Sequence, residues 1–203
     1  MSSYPSGKGL ACTPLTSIGV QKRILVAGLG NVFLGDDAFG VETVRQLLQR
    51  PLPDQVRVVD FGIRSYDLAY SITGGYDAII LIDAMPRGHP AGTIYLIEPD
   101  LEQLKELGAV PTSSYGLGPM RVLQMAQSLG GSIGRLFLIG CEPAVLEPEN
   151  GRTGLSEPVQ AAIPQVLEMI ESLIQDELSQ TEALLLSGEA REEAPALAQV
   201  HGQ

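Results

Sequence analysis

Short apolar runs, separated by Gly, Pro or Asp, recur along the chain. The runs are rich in β-branched side chains and apolar at nearly every position, which is typical of strands that are buried on both faces of a sheet. The sequence therefore predicts five strands, over residues 23–29, 56–60, 78–83, 93–98 and 135–140.

Between most of the predicted strands, apolar residues recur at the spacing of a helix. The segment after the first strand places Val41, Val44 and Leu48 on one face, and Pro51 ends the pattern. Further helices are predicted over residues 67–72, over residues 118–129 and from Ser156 onward.

This alternation of strands and helices predicts an α/β fold. We expect a three-layer sandwich, in which a twisted, mostly parallel five-stranded sheet carries helices on both faces. The run at 93–98 follows the run at 78–83 after only a short Pro/Gly loop. Because parallel neighbours need a longer crossover, one antiparallel edge strand is expected.

Composition divides the chain into three parts. Residues 1–22 form a predicted flexible leader, residues 23–178 a single α/β domain, and residues 179–203 an acidic tail. From residue 171 to the end, seven acidic residues stand against one basic residue, Arg191. We expect the tail to be disordered, because charged segments with few apolar residues bury too little surface to fold.

Charge and composition exclude several classes of function. The chain of 203 residues is 44% hydrophobic, and its formal net charge of −11 argues against a nucleic-acid partner, which requires clustered Lys and Arg. No apolar run approaches the roughly 20 residues that cross a bilayer, and the N-terminus lacks a signal-peptide pattern. We therefore expect a cytoplasmic protein with no membrane partner. With only Cys12 and Cys141, neither a disulfide framework nor a cysteine-rich metal site is expected.

Acidic residues follow three of the predicted strands. Asp36 and Asp37 lie in the loop after the first strand, Asp60 ends the second, and Asp83 ends the third. Because ligands bind beyond the carboxyl ends of parallel strands, these acids are expected on one edge of the sheet. Carboxylates brought together either share a proton or hold a cation. The simpler alternatives are that one of the pair caps a helix and that Asp83 forms a turn.

A dinucleotide site is the weaker interpretation of the same loop. Gly28 and Gly30 follow a strand, but the third glycine of the fingerprint is replaced by Phe33. The two adjacent carboxylates would also repel a pyrophosphate. We therefore expect no nucleotide cofactor.

The chain resembles the hydrogenase maturation proteases over residues 23–173. That family opens with an apolar strand, Gly-x-Gly-Asn and paired acids before a glycine, which is matched here from Gly28 through Asp36 and Asp37 to Gly40. The later matching motifs are Asp60-Phe61-Gly62, Leu81-Ile82-Asp83-Ala84, Gly92-Thr93, Gly140-Cys141-Glu142-Pro143 and Gly154-Leu155-Ser156.

The resemblance implies an endopeptidase, classified as aspartic-type, that removes the C-terminal extension of a nickel-iron hydrogenase large-subunit precursor after nickel insertion. The nickel would arrive with the substrate, held by that subunit's own cysteines, although another divalent metal could occupy the site in vitro. The partner would be the precursor, and the enzyme a monomer. The resemblance places two metal ligands, which are also the expected catalytic residues, on Asp37 and Asp83.

The third ligand of the family is a histidine, and the chain has Tyr115 at that position. A phenol with a pKa of about 10 must lose its proton before it ligates well, whereas a neutral imidazole offers its nitrogen near pH 7. Three outcomes stay open: Tyr115 ligates as a tyrosinate, it hydrogen-bonds a two-carboxylate site, or catalysis is lost. The last would leave a non-catalytic, nickel-reading checkpoint protein. His89, the nearby substitute, is expected to be an exposed loop residue.

Two mechanisms are compatible with these residues. A metal could polarise the scissile carbonyl or lower the pKa of a water, or the carboxylates themselves could act as acid and base. Ser113, Ser114 and Cys141 are not expected to be nucleophiles, because no base accompanies the serines and the cysteine ends a buried strand. Asp36 is expected to hold the loop.

Overall fold

A five-stranded sheet forms the centre of the computed structural model, which describes residues 22–100, 119–146 and 153–187. The strands lie in the order β2-β1-β3-β5-β4. Their bounds are β1 Ile24–Leu29, β2 Val56–Gly62, β3 Tyr76–Ala84, β4 Ile94–Ile97 and β5 Ile133–Cys141. Only β4 runs antiparallel to its neighbour, β5, at one edge of the sheet. The predicted mostly parallel sheet with one antiparallel edge strand is confirmed.

Helices connect the strands and cover the sheet. They are α1 Phe39–Leu47, α2 Ser65–Ile72, α3 Pro119–Ser128 and α4 Glu157–Ser187, with a 3₁₀ turn at Gly35–Ala38 before α1. The tail was predicted to begin at residue 179 and to be disordered. That prediction is wrong for residues 179–187, because helix α4 continues through them. The rest of the predicted tail and residues 1–21 lie outside the described residues. None of the helices in the described ranges is both long and apolar enough to cross a bilayer.

The central strands of the sheet, β1, β3 and β5, are buried on both faces over most of their length. Alternate side chains of β1 point to opposite sides, so that Ile24 and Val26 join one apolar cluster while Leu25 and Ala27 join another. Helices α1 and α4 close the first cluster, and α2 and α3 close the second. The predicted three-layer sandwich is confirmed, and the continuous apolar runs follow from burial on both faces.

Two glycines let α1 lie unusually close to the sheet. A Cβ on Gly40 would lie 2.1 Å from the carbonyl oxygen of Ile82 and 2.4 Å from that of Leu29. A Cβ on Gly28 would lie 2.4 Å from the carbonyl oxygen of Gly40. Backbone atoms cannot yield by that much, so both positions require glycine. This close approach sets the acidic turn before α1 against the carboxyl ends of β1 and β3.

Candidate active site

Asp37 and Asp83 are brought together at the carboxyl edge of the sheet. Asp83 lies near the end of β3, directly after Ile82, which pairs with Gly28 of the neighbouring strand β1. Asp37 lies in the 3₁₀ turn that follows β1. Burial, and then the negative charge of Asp37, raise the pKa of Asp83 from 3.8 to about 7. The two carboxylates therefore interact, although 46 positions separate them in the sequence.

The loop after β1 holds Asp37 through its backbone. The amide of Asn31 donates a hydrogen bond of 2.7 Å to Asp37 Oδ2, while Asn31 Oδ1 accepts one of 3.0 Å from the amide of Phe33. Gly30 has a φ of +119°, and a Cβ there would lie 1.7 Å from the carbonyl oxygen of Asp37. The Gly-Asn pair of the opening motif thus shapes the backbone around a carboxylate. Burial raises the pKa of Asp37, and the Asn31 amide opposes that rise.

Asp83 is partly buried and has a local hydrogen-bond partner. Its Oδ1 accepts a bond of 2.9 Å from the amide of Ala84, which lowers the pKa without cancelling the effects of burial and of Asp37. Near neutral pH this carboxyl therefore exists in both protonation states. Such a group can release a proton, take one up, or ionise fully when a cation approaches.

Asp36, next to Asp37, serves a different purpose and is fully buried. Its Oδ2 accepts hydrogen bonds from the amides of Ala144 and Val145, at 2.8 and 2.9 Å, and from the Ser156 hydroxyl at 2.9 Å. Its Oδ1 accepts a bond of 2.6 Å from the amide of Ser156. Asp36 ties the acidic turn to the loop after β5 and to the start of α4. The expectation that Asp36 holds the loop is confirmed.

Sequence reasoning missed the role of Glu142. This carboxylate is buried just after β5 and accepts hydrogen bonds from the amides of Arg87 and Gly88, at 2.8 to 3.0 Å, and a short one from the Tyr95 hydroxyl. The bond from Tyr95 is the largest reason that the pKa of Glu142 falls to about 2. Glu142 therefore fixes the loop that follows Asp83. An acid at the end of an apolar strand was the available signal.

His89 is an exposed loop residue, as expected. Its Nδ1 lies 3.1 Å from the Tyr95 hydroxyl, and the two rings meet edge to face with their centroids 5.8 Å apart. His89 therefore belongs to the hydrogen-bonded group around Glu142. Burial, and then the nearby Glu142, raise the pKa of Tyr95 to about 12, so this phenol stays protonated.

Cys141 is buried at the end of β5. Burial, followed by the charges of Asp36 and Glu142, raises the pKa of its thiol to about 11. Because the thiolate is the nucleophilic form, the cysteine is inert at neutral pH. The expectation that Cys141 is not a nucleophile agrees with this environment.

The donor set available for a cation consists of Asp37 and Asp83. Tyr115, predicted at the position of the third ligand, lies outside the described residues, as do Ser113 and Ser114. Among residues 22–100, 119–146 and 153–187, no cluster of three or more His, Cys, Asp or Glu could hold a metal ion. The carboxylate pair fits a divalent ion, because oxygen ligands suit it and its charge would relieve the desolvation and repulsion that raise the pKa of Asp83.

Replacing Asp83 with asparagine is expected to change how stability depends on pH. Folding raises the pKa of Asp83 from 3.8 to about 7, so between those values the folded state binds more protons than the unfolded state. Stability therefore falls as the pH rises through that window. The asparagine side chain stays neutral and has no such dependence. Raising the pH from 5 to 8 should therefore shift the difference in unfolding free energy between the two proteins by at least about 1 kcal/mol in favour of the variant.

Urea denaturation of both proteins at the two pH values measures this difference. Asp60→Asn is the matched control, because Asp60 lies near the carboxyl end of β2, at the same edge of the sheet, and faces Arg45 at 3.5 Å. The same pH dependence in the wild type and in Asp83→Asn would show that Asp83 ionises normally.

Comparison with known proteins places the chain in one family. A family model described as hydrogenase maturation protease matches residues 41–173. The hydrogenase expression/formation protein HupD of Rhizobium leguminosarum bv. viciae is 36% identical over 147 residues, covering 72% of this chain and 71% of the relative. A putative hydrogenase maturation protease of Methanocaldococcus jannaschii is 31% identical, covering 74% of this chain and 95% of the relative.

Solved structures agree with the sequence matches. The hydrogenase maturating endopeptidase HybD of E. coli superimposes with a TM-score of 0.66 and 32% identity, covering 76% of this chain and 93% of that one. The nickel-iron hydrogenase maturation protease HycI of Thermococcus kodakarensis superimposes with a TM-score of 0.58 and 26% identity, covering 77% and 94%.

Proposed function

The chain belongs to the hydrogenase maturation protease family, and from this premise we propose that it removes the C-terminal extension of a nickel-iron hydrogenase large-subunit precursor after nickel insertion. The observation that carries the proposal is the pairing of Asp37 and Asp83 at the carboxyl edge of the sheet, where each carboxyl has a raised pKa. Neither is neutralised by a cation among the ion pairs of the described residues. Such a pair is suited to chemistry rather than to holding the fold.

Nickel enters this proposal as part of the substrate. Carried by the precursor and held by its cysteines, the ion approaches Asp37 and Asp83, which offer it oxygen ligands. The positive charge favours ionisation of Asp83, whose pKa near 7 means that little free energy is needed to remove its proton. Nickel-loaded precursor is thereby distinguished from nickel-free precursor, because only the former compensates the paired negative charges.

Two chemical routes to peptide cleavage are compatible with the pair. In the first, the metal polarises the scissile carbonyl or lowers the pKa of a water. In the second, Asp83 and Asp37 act as acid and base, for which a carboxyl that is half protonated at neutral pH is well suited. The Asn31 amide holds Asp37 in position on either route.

Tyr115 marks the second candidate function. It stands where the family has a histidine, and its phenol is the weaker metal ligand at neutral pH. If the two carboxylates and Tyr115 bind nickel-loaded precursor without cleaving it, the protein is a nickel-reading checkpoint. Tyr115→His would then be expected to strengthen nickel-dependent binding and to allow cleavage.

Nickel-loaded precursor should lose its C-terminal peptide in the presence of this protein, and nickel-free precursor should not. Mass spectrometry of the purified components reports the loss directly, and we expect initial rates to differ by at least about a hundredfold, the scale of removing a metal from a catalytic step. Equal cleavage of both precursors would refute nickel reading but keep the peptidase. A stable complex without cleavage would establish the checkpoint function instead.

A further inference from the structure

Four large apolar side chains are far more exposed than any others among the described residues. Phe33, Ile63, Tyr66 and Tyr70 are 71 to 75% exposed. The remaining exposed large apolar side chains in those ranges, Leu48, Leu96, Leu129 and Val145, are 42 to 57% exposed. We call the first four the apolar rim. Single exposed apolar residues are ordinary, but a group of this kind usually marks an interaction surface.

The apolar rim lies beside the carboxylate pair. Phe33 follows β1 and Ile63 follows β2, and these strands are parallel neighbours, so both residues lie at the carboxyl edge of the sheet. The Gly30 amide joins the two loops by a hydrogen bond of 3.2 Å to the Gly62 carbonyl. Phe33 is also linked to Asp37, since Asn31 accepts from the amide of one and donates to the carboxylate of the other.

Helix α2 extends the apolar rim away from the site. Tyr66 and Tyr70 are four residues apart and therefore lie on one face of the helix. Leu68, Ala69 and Ile72 on the opposite face pack into the core, which leaves the two tyrosines turned outward. The loop before the helix is closed by backbone hydrogen bonds, from Arg64 to Phe61 at 2.8 Å and from Ser65 to Ile63 at 3.0 Å. The rim is thus presented by ordered backbone rather than by a loose loop.

Charges around Ile63 and the start of α2 are matched within the protein. The Arg64 side chain donates to the Asp60 carbonyl and lies 3.8 Å from the Asp67 carboxylate. Asp60 in turn faces Arg45 at 3.5 Å. The chain carries a formal net charge of −11, but these pairs match the charges around Ile63 and the start of α2. Among the described residues, Asp37 and Asp83 beside the rim are the charges without an opposite partner, and the proposed function assigns them to nickel, whereas the rim itself adds none. Its chemistry therefore selects an apolar, uncharged segment over a basic or an acidic one.

We infer that the apolar rim binds an apolar, uncharged segment of the hydrogenase large-subunit precursor, close to the peptide bond that is cleaved. The inference rests on the proposed function, because the precursor must lie over Asp37 and Asp83 and the rim continues directly from them. Three aromatic side chains and one isoleucine at this exposure offer on the order of 500 Å². Aromatic anchors of this size commonly dominate the affinity of a protein interface.

The double substitution Phe33→Ser with Ile63→Ser tests the inference. Both side chains are exposed, so the fold should be retained, as circular dichroism and thermal melting will show. With nickel-loaded precursor, KM should rise at least about tenfold while kcat stays within about twofold. Isothermal titration with nickel-free precursor should show the same loss of affinity, since the rim does not depend on nickel.

Leu48→Ser and Leu129→Ser are the matched controls. Leu48 precedes β2 and Leu129 precedes β5, so these exposed leucines lie at the opposite edge of the sheet. Both controls should leave KM and the affinity within about twofold of the wild type. An equal loss in the controls would overturn the inference, because it would show a general effect of surface polarity.

Each outcome separates the rim from the proposed function. If the wild type cleaves the precursor and the double variant has an unchanged KM, the rim inference fails and the proposed function stands. If the wild type binds without cleaving, the titration decides: lost affinity supports the rim, and retained affinity overturns it. If the wild type neither binds nor cleaves, both proposals fail.

Sedimentation velocity tests whether the rim instead binds a second copy of this chain. If the wild type is a dimer and the double variant is a monomer, the partner is a second copy and the inference is overturned.

Discussion

Asparagine at position 37 or at position 83 is expected to reduce kcat/KM for nickel-loaded precursor by at least about a thousandfold, the scale of losing acid–base or metal-ion catalysis. Both substitutions keep the size and shape of the side chain. They remove the negative charge that would receive nickel, and they remove the proton that the pair would exchange. Quantifying the released C-terminal peptide by mass spectrometry measures the loss.

The matched control is again Asp60→Asn, which removes a carboxylate from the same edge of the sheet but outside the pair. Its kcat/KM should stay within about threefold of the wild type. The Asp83 variant should also be no less stable than the wild type above pH 7, since burial disfavours its charge. Lost activity could then not be attributed to unfolding. Activity above a tenth of the wild-type value in either variant would refute the assignment of that carboxylate to the chemistry.

Asp36→Asn is expected to lower the free energy of unfolding by about 3 kcal/mol or more, although the substitution is chemically the same as Asp37→Asn one position away. Asp36 accepts four hydrogen bonds in a fully buried position. An amide has only one acceptor oxygen, so its NH₂ group would face the amide of Ser156 or the amides of Ala144 and Val145. Two donors would then meet without water to separate them.

Urea denaturation of the Asp36 and Asp37 variants side by side measures the contrast. Asp37→Asn should change the free energy of unfolding by less than about 1 kcal/mol, because an amide oxygen can accept the Asn31 bond and the buried charge is relieved. Similar losses in the two variants would show that Asp36 is not the tie between the acidic turn, the loop after β5 and α4.

The strand order explains why the carboxylate pair could be anticipated. The central strands were recognisable because a sheet covered on both faces requires continuous apolar runs. The run at β3 ends at Asp83, and the loop after β1 carries Asp36 and Asp37. Parallel strands bring their carboxyl ends to one edge, so Asp37 and Asp83 were expected together before any distance was known. The helix bounds were less accurate. The end of α4 at Ser187 shows that an acidic composition did not stop a helix that was already packed on the sheet.

Hydrogen bonds between residues that are distant in the sequence could not be predicted from the sequence. Asp36 and Asp37 are identical neighbours. The backbone amides of residues 144, 145 and 156 and the Ser156 hydroxyl make the first structural, while the second is left at the site. Glu142 was quoted as part of a motif, but its partners are the Tyr95 hydroxyl, 47 positions away, and two amides more than 50 positions away. Backbone amides are present at every non-proline residue. The pattern of side chains therefore does not predict which amides will donate hydrogen bonds to a given carboxylate.

By itself, the sequence determined the layers of the fold and the edge at which chemistry is expected, whereas the choice of Asp37 and Asp83 among the acids at that edge came from the resemblance to the family. The layers and the edge follow from local properties, namely the period of apolar residues and the acids that lie at or after the strand ends. The tertiary structure alone decided which acid is buried, how far the pKa of Asp83 rises, and that Phe33 and Ile63 stand exposed beside the pair. Burial and electrostatic coupling depend on atoms that are distant along the chain and close in space, and folding is what brings those atoms together.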